Sequence, residues 1–134
     1  MAGAVKGLNK ALKQTAQFKS KAHLKARRGL TKAGLFLKGE SQKAVPVDTG
    51  NLRSSAFSFL RPEAMRVVVG YTAKYAFWIH ENLEQKLKGQ PRKANGAKKG
   101  RGWYWNPGGP KFLEKPAKDN ERKIQQIIVR DMKV

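Results

Sequence analysis

What most limits the fold of this chain is one helical period that runs over its first third and stops at a proline. Between Val5 and Leu37 the apolar residues Leu8, Leu12, Ala16, Ala22, Ala26, Leu30, Ala33 and Leu37 recur mostly at steps of three or four. That spacing puts them on one face of an amphipathic helix. Lys6, Lys10, Lys13, Lys21, Lys25, Arg28 and Lys32 decorate the other sides. The apolar face is thin and largely alanine, so the helix needs a closely packed partner to be stable. Gly29 and Gly34 each weaken it by about 1 kcal/mol relative to alanine, and a kink or an end is expected between Arg28 and Gly39. Pro46 then disfavours a helical conformation at Val45.

Beyond Pro46 the period changes. Asp48 can bond its own backbone in a turn, and Gly50 is available for a positive φ. Ser55 to Leu60 alternates polar and apolar residues, Arg61-Pro62-Glu63-Ala64 makes a tight connection, and Met65 to Tyr71 is rich in β-branched residues. Together these predict an antiparallel hairpin. Ala73 to Leu83 fits either a strand or a helix; Tyr75, Ile79 and Leu83 on one helical face favour a short helix. Residues 85–110 show no hydrophobic period and hold six glycines and three prolines, which predicts a long loop. From Pro116 to Met132, Ala117, Ile124, Ile127, Ile128 and Met132 return to helical spacing, with Pro116 suited to an early helical position. The expected fold is α+β: a long N-terminal helix, a small antiparallel sheet, a C-terminal helix packed on the sheet, and a long basic loop. One domain spanning 1–134 is expected, in four parts: a basic helical segment 1–43, a sheet core 44–84, a loop 85–110 and a helix 111–134.

The charge follows the same division. The chain carries 29 Lys and Arg against nine Asp and Glu, for a net charge of +20. Residues 1–43 contribute +10, residues 44–84 are neutral, the loop 85–102 contributes +7 and the remainder +3. A basic frame thus surrounds an ordinary core, and an anionic partner is expected. Lys13, Lys21, Lys25 and Arg28 on the helix are candidates for it, because phosphate contacts need only charge and reach. In the loop, Lys98, Lys99 and Arg101 precede Trp103-Tyr104-Trp105. Aromatics beside cations serve base stacking on single strands, but a protein contact or a core anchor is the favoured reading of Trp103 and Trp105.

Several function classes lose their chemistry here. There are no cysteines, so disulfides, thiolate metal sites and cysteine nucleophiles are gone, as expected of a protein made in a reducing cytoplasm. No apolar run approaches a membrane span, and the N-terminus lacks the apolar stretch of a signal peptide, so no membrane contact is expected. No glycine-rich nucleotide cradle is present. Two histidines, His23 and His80, give no zinc-ligand spacing. His80-Glu81 is an adjacent acid–base pair, but adjacency in an aromatic segment assures neither a cleft nor a partner. No catalytic, metal or cofactor residue is assigned.

Three segments, in order, resemble one family. Pro46-Val47-Asp48-Thr49-Gly50-Asn51-Leu52-Arg53-Ser54-Ser55 is similar to the Pro-x-Asp-Thr-Gly-x-Leu-(Arg/Lys)-x-Ser signature of the phage tail-completion, or head–tail joining, proteins, also described as tail components or minor capsid proteins. Val68-Val69-Gly70-Tyr71 with Tyr75-Ala76 and His80-Glu81 looks like that family's strand, Tyr-Ala pair and acidic residue. Lys111-Phe112-Leu113-Glu114-Lys115-Pro116-Ala117 looks like the opening of its last helix. Asp-Thr-Gly also occurs in aspartic proteases, but Pro46 before it and Asn-Leu-Arg after it argue against that. This chain departs from the family in having Glu81-Asn82-Leu83 in place of a Glu-x-Gly-Thr turn, and in its longer, more basic loop.

The resemblance implies a structural virion protein, not an enzyme, made in the host cytoplasm and built into the neck of a long-tailed phage. It implies a ring, hexameric in expectation, between head connector or stopper proteins and tail tube or terminator proteins, with packaged double-stranded DNA within reach. Pro46, Asp48, Thr49, Gly50, Leu52, Arg53, Tyr75, Ala76, Glu81, Phe112 and Leu113 are its structural motif residues, with Arg53 expected to pair with Glu81 or Glu114. The alternative reading is a nonspecific nucleic-acid-binding module of ribosomal or nucleoid type, which explains the charge but not the three ordered motifs.

Overall fold

A computed structural model describes residues 2–46, 50–83 and 108–133, with side chains from Lys6 onward. The first element, α1, is one helix over Ala2–Ala44, 43 residues in length, or about 65 Å at the usual rise per residue. Alanine, leucine, lysine and glutamine sustain it. Val45 N–H still bonds the Ser41 carbonyl at 3.1 Å, and Pro46 then removes the next donor.

The helix does not end between Arg28 and Gly39. Gly29 and Gly34, read from sequence as weak points, are instead where other elements come closest. A Cβ built on Gly29 would lie 3.0 Å from the Ile128 carbonyl oxygen, and one on Gly34 would lie 2.5 Å from both Ser58 Oγ and Val67 Cγ2. The backbone cost of glycine is offset by packing that only a missing side chain permits.

Gly50, at φ 87°, caps a single helical turn, α2, over Asn51–Ser54. The periodicity gives no sign of this turn. Strands β1 (Ala56–Arg61) and β2 (Arg66–Tyr71) follow, paired antiparallel from Ala56↔Tyr71 to Arg61↔Arg66. A 3-10 turn over Pro62–Ala64 joins them, with Met65 at φ 45°. Next is α3 (Ala76–Glu81), which settles Ala73 to Leu83 in favour of a helix. The C-terminal segment is two helices, α4 (Glu114–Asp119) and α5 (Glu121–Met132). They divide at Asn120, whose Nδ2 donates to the Pro116 carbonyl at 2.9 Å.

The α+β class is as expected: a long helix, a two-stranded antiparallel sheet and helical C-terminal elements. The C-terminal packing differs from the sequence reading. Helix α5 lies chiefly against α1, and α1 also covers both strands. Lys32 pairs with Asp131 at 2.9 Å, and Lys123 Nζ sits 4.9 Å from the centre of the Phe36 ring. The alanine and glycine surface of α1 lets a second helix approach more closely than a sheet already covered by α1 could. The basic loop of 85–110 lies outside the described residues apart from Gly108–Pro110. Among the described residues, no helix is long and apolar enough to cross a membrane.

Candidate functional site

The motif segments converge at the C-terminal end of α1. Val45, Leu52, Ala76 and Phe112 form a buried cluster, with Ala44, Tyr71, Ala73, Ile79 and Leu113 packed around it. Ser41 is its polar centre, fully buried. Its Oγ donates to the Phe112 carbonyl at 2.8 Å and lies 2.7 Å from the Tyr71 hydroxyl. A serine has one hydroxyl proton, so Tyr71 must donate to Ser41. Burial is the largest influence on the Tyr71 pKa and raises it, partly opposed by the nearby Arg53 charge. The Phe112 ring meets Tyr71 edge-on at 5.1 Å and His80 edge-on at 5.0 Å. The chain returns to this point through Gly108, at φ 102°, where a Cβ would lie 2.5 Å from the Val45 carbonyl carbon.

A charged cluster locks α3 to α4 beside this core. His80 Nδ1 lies 2.8 Å from Glu81 Oε1, and the Glu114 backbone N–H donates to His80 Nε2 at 3.3 Å. Nε2 is therefore the acceptor and Nδ1 carries the proton. Lys111 Nζ bridges Glu81 and Glu114, and Lys118 also reaches Glu114 at 2.8 Å. Lys111 and then His80 hold the Glu81 pKa below its usual value. Lys118 and then Lys111 bring Glu114 down to about 2, and the same contacts raise Lys111.

His80, Glu81 and Glu114 offer ligand atoms within 4.8 Å of one another, but a metal there would have to displace the Lys111 ammonium between the two carboxylates. Both nitrogens of His80 are engaged in holding the elements together, which leaves neither poised as a base. Glu114 contributes to the α3–α4 tie above its ordinary pKa of 4.5, and the contribution disappears as pH falls toward its lowered value of about 2. Replacing Lys111 with methionine should raise the Glu114 pKa toward 4.5, measured by NMR titration of its side-chain carboxyl. An unchanged Glu114 titration would mean the bridge is not formed in solution.

Other motif residues fall as follows. Pro46 is half-buried at the end of α1, Leu52 and Ala76 are in the core, and Tyr75 is exposed. Asp48 and Thr49 lie outside the described residues. Arg53 does not make the pairing expected with Glu81 or Glu114 among the described bonds. Its Nε donates to the Gln42 carbonyl, and Gln42 Nε2 donates to the Arg53 carbonyl, both at 3.0 Å. These reciprocal bonds staple α2 to α1. Lys13, Lys21 and Arg28 are exposed on α1, and Lys25 Nζ donates to the Lys133 carbonyl at 3.3 Å. Lys98, Lys99, Arg101, Trp103 and Trp105 lie outside the described residues. Ser41 and Lys111 organise the two clusters, yet sequence reasoning gave neither a role, because their partners come from distant segments.

Large apolar side chains remain uncovered. Phe77 and Trp78, on α3, are 66% and 73% exposed. Leu8, Leu12, Phe18 and Leu24 are likewise exposed on the first half of α1. Exposed large apolar side chains in such number suit contact with another macromolecule. The chain belongs to the family described as "Bacteriophage HK97-gp10, putative tail-component", whose family model matches residues 6–80. It is thus a phage tail-related structural protein that works in contact with other virion proteins. The match takes in α1 from residue 6, the Pro46–Ser55 segment and Tyr75-Ala76, and stops short of Glu81 and the Lys111–Ala117 segment. No curated protein and no solved structure matches the chain significantly.

Proposed function

We propose that this chain is a structural, non-enzymatic ring component at the head–tail junction of a long-tailed phage, completing the tail where it joins the head connector or stopper. Six copies form the ring, and the tail tube or terminator lies on its other side. The observation that carries this reading is the pair of unlike apolar surfaces, one on α3 at Phe77 and Trp78 and one on the first half of α1. A ring requires heterologous contacts, in which one surface of a subunit meets a different surface of the next. Tail-family membership supports a place in the virion, and the three ordered motifs resemble those of tail-completion proteins. Pro46, Asp48, Thr49 and Gly50 set the corner between helix and sheet, and Trp103 and Trp105 of the basic loop supply further contacts. Lys98, Lys99 and Arg101 face packaged DNA or an acidic neighbouring ring.

The exposed lysines of α1 favour one second reading, a nonspecific nucleic-acid-binding module. Native mass spectrometry and negative-stain microscopy of the purified chain, alone and with a connector protein, separate the two. The ring reading predicts a closed oligomer with secondary DNA affinity. A monomer that binds duplex DNA, with log affinity falling steeply against log salt, would favour the module.

A further inference from the structure

Helix α1 packs along one side only. Gly29, Gly34 and Ser41 lie on the side that meets α5, the strands and the Phe112 carbonyl. By spacing, Lys6, Lys10, Lys13, Gln17, Lys21, Leu24 and Arg28 form a row along the opposite side, and all of them are exposed. The row holds five cations, one amide and one apolar residue, and residues 6–28 contain no acid. Among the described residues, none of the five cations is in an ion pair. The row is about 33 Å long at the usual helical rise, close to one turn of B-form DNA.

We infer that this row is a contact for the phosphate backbone of duplex DNA, made without reading bases. Charge complementarity identifies the occupant, because phosphate contacts need one sign of charge and reach, and the Gln17 amide also donates to phosphate oxygens. The composition of the row sets the other occupants aside. Single strands are held on aromatic platforms, and the row has no aromatic residue. Protein contacts centre on apolar and aromatic anchors, and the row offers Leu24 alone. A second copy of this chain brings a net charge of +20 to the contact, whereas a duplex brings about one negative charge per 1.7 Å. The structure also sorts the lysines of the helix. Lys19 falls on the packed side by spacing, and Lys25 Nζ is turned to the Lys133 carbonyl at 3.3 Å, so neither belongs to the row. The inference gives duplex affinity a place on the surface, and it holds for a closed ring and for a monomer alike.

The test measures binding of a short DNA duplex by the full-length protein over a range of salt. Each phosphate contact contributes about 0.9 to the slope of log affinity against log salt. The variant Lys10→Gln/Lys13→Gln is therefore expected to flatten the slope by about 2. Its circular dichroism melt should not change, since glutamine is a good helix former. Lys10→Arg/Lys13→Arg should keep the original slope. The control Lys19→Gln/Lys74→Gln removes the same charge from outside the row, both positions being exposed, and should leave the slope unchanged. Equal flattening by the row variant and the control would reduce the effect to net charge and overturn the inference, as would an unflattened slope in the row variant. Polyglutamate bound as tightly as a duplex of equal charge would overturn it in favour of an acidic protein. Single strands bound more tightly than the duplex would overturn it in favour of base stacking elsewhere on the chain.

Discussion

Replacing Phe112 with alanine is expected to cost about 3–5 kcal/mol, enough to remove most of the stability of an ordinary domain. Phe112 is 2% exposed and among the largest fully buried side chains described. Its ring is the surface on which Tyr71 and His80 stack edge-on, so truncation opens a cavity bounded by groups that are fixed elsewhere. Ser41 is held by the Phe112 carbonyl and Tyr71, and His80 by Glu81 and the Glu114 backbone, which limits collapse into the space. The loss should appear in urea denaturation as a lowered midpoint with little change in slope. Phe112→Leu, which keeps most of the volume, should lose much less. A cost below about 1 kcal/mol for the alanine variant would mean that the return segment is not docked on the end of α1.

Gly34→Val should destabilise by about 1–3 kcal/mol or more, the range for overpacking. The added Cβ alone falls 2.5 Å from Ser58 Oγ and from Val67 Cγ2, and the β-branched carbons need further room. Intrinsic helix propensity points the other way, since valine is a better helix former than glycine by a few tenths of a kcal/mol. The steric term wins because the helix lies on both strands at this point. Gly39→Ala is the control. Among the described residues nothing beyond its own stretch of helix lies within 4 Å of its built Cβ, so propensity acts unopposed and the change should stabilise by up to about 1 kcal/mol. Chemical denaturation of both variants measures the contrast. A stabilising Gly34→Val would show that the sheet does not pack on α1 as described.

The elements that depend on neighbours in sequence were legible in it. The three-four spacing from Leu8 to Leu37 gives α1, Pro46 ends it, and the alternation around Phe57 and Phe59 gives the hairpin. Gly50 does take up a positive φ. What depends on tertiary contact was not legible. Nothing local distinguishes a glycine that weakens a helix from one that admits a neighbour, so Gly29 and Gly34 read as flaws. Ser41 looks like an ordinary polar residue late in a helix until Tyr71 and Phe112 arrive from segments 30 and 71 positions away. Arg53 carries a charge and so suggests a carboxylate partner, yet its donor goes to a backbone carbonyl that the end of α1 leaves open. Apolar spacing in the C-terminal segment predicts a helix but cannot choose between a sheet and another helix as its support. That choice is made by the small residues of α1.

The central claim is that this tail-family chain occupies the head–tail junction, and labelling it in the virion tests that most directly. Particles carrying a C-terminal tag on this chain would be imaged by cryo-electron microscopy with a tag-specific gold label. The account predicts label confined to a single collar where head meets tail. Label distributed along the tail or at its tip would contradict the junction assignment. Particles without label, with the protein bound to nucleic acid in infected cells, would contradict the virion role itself.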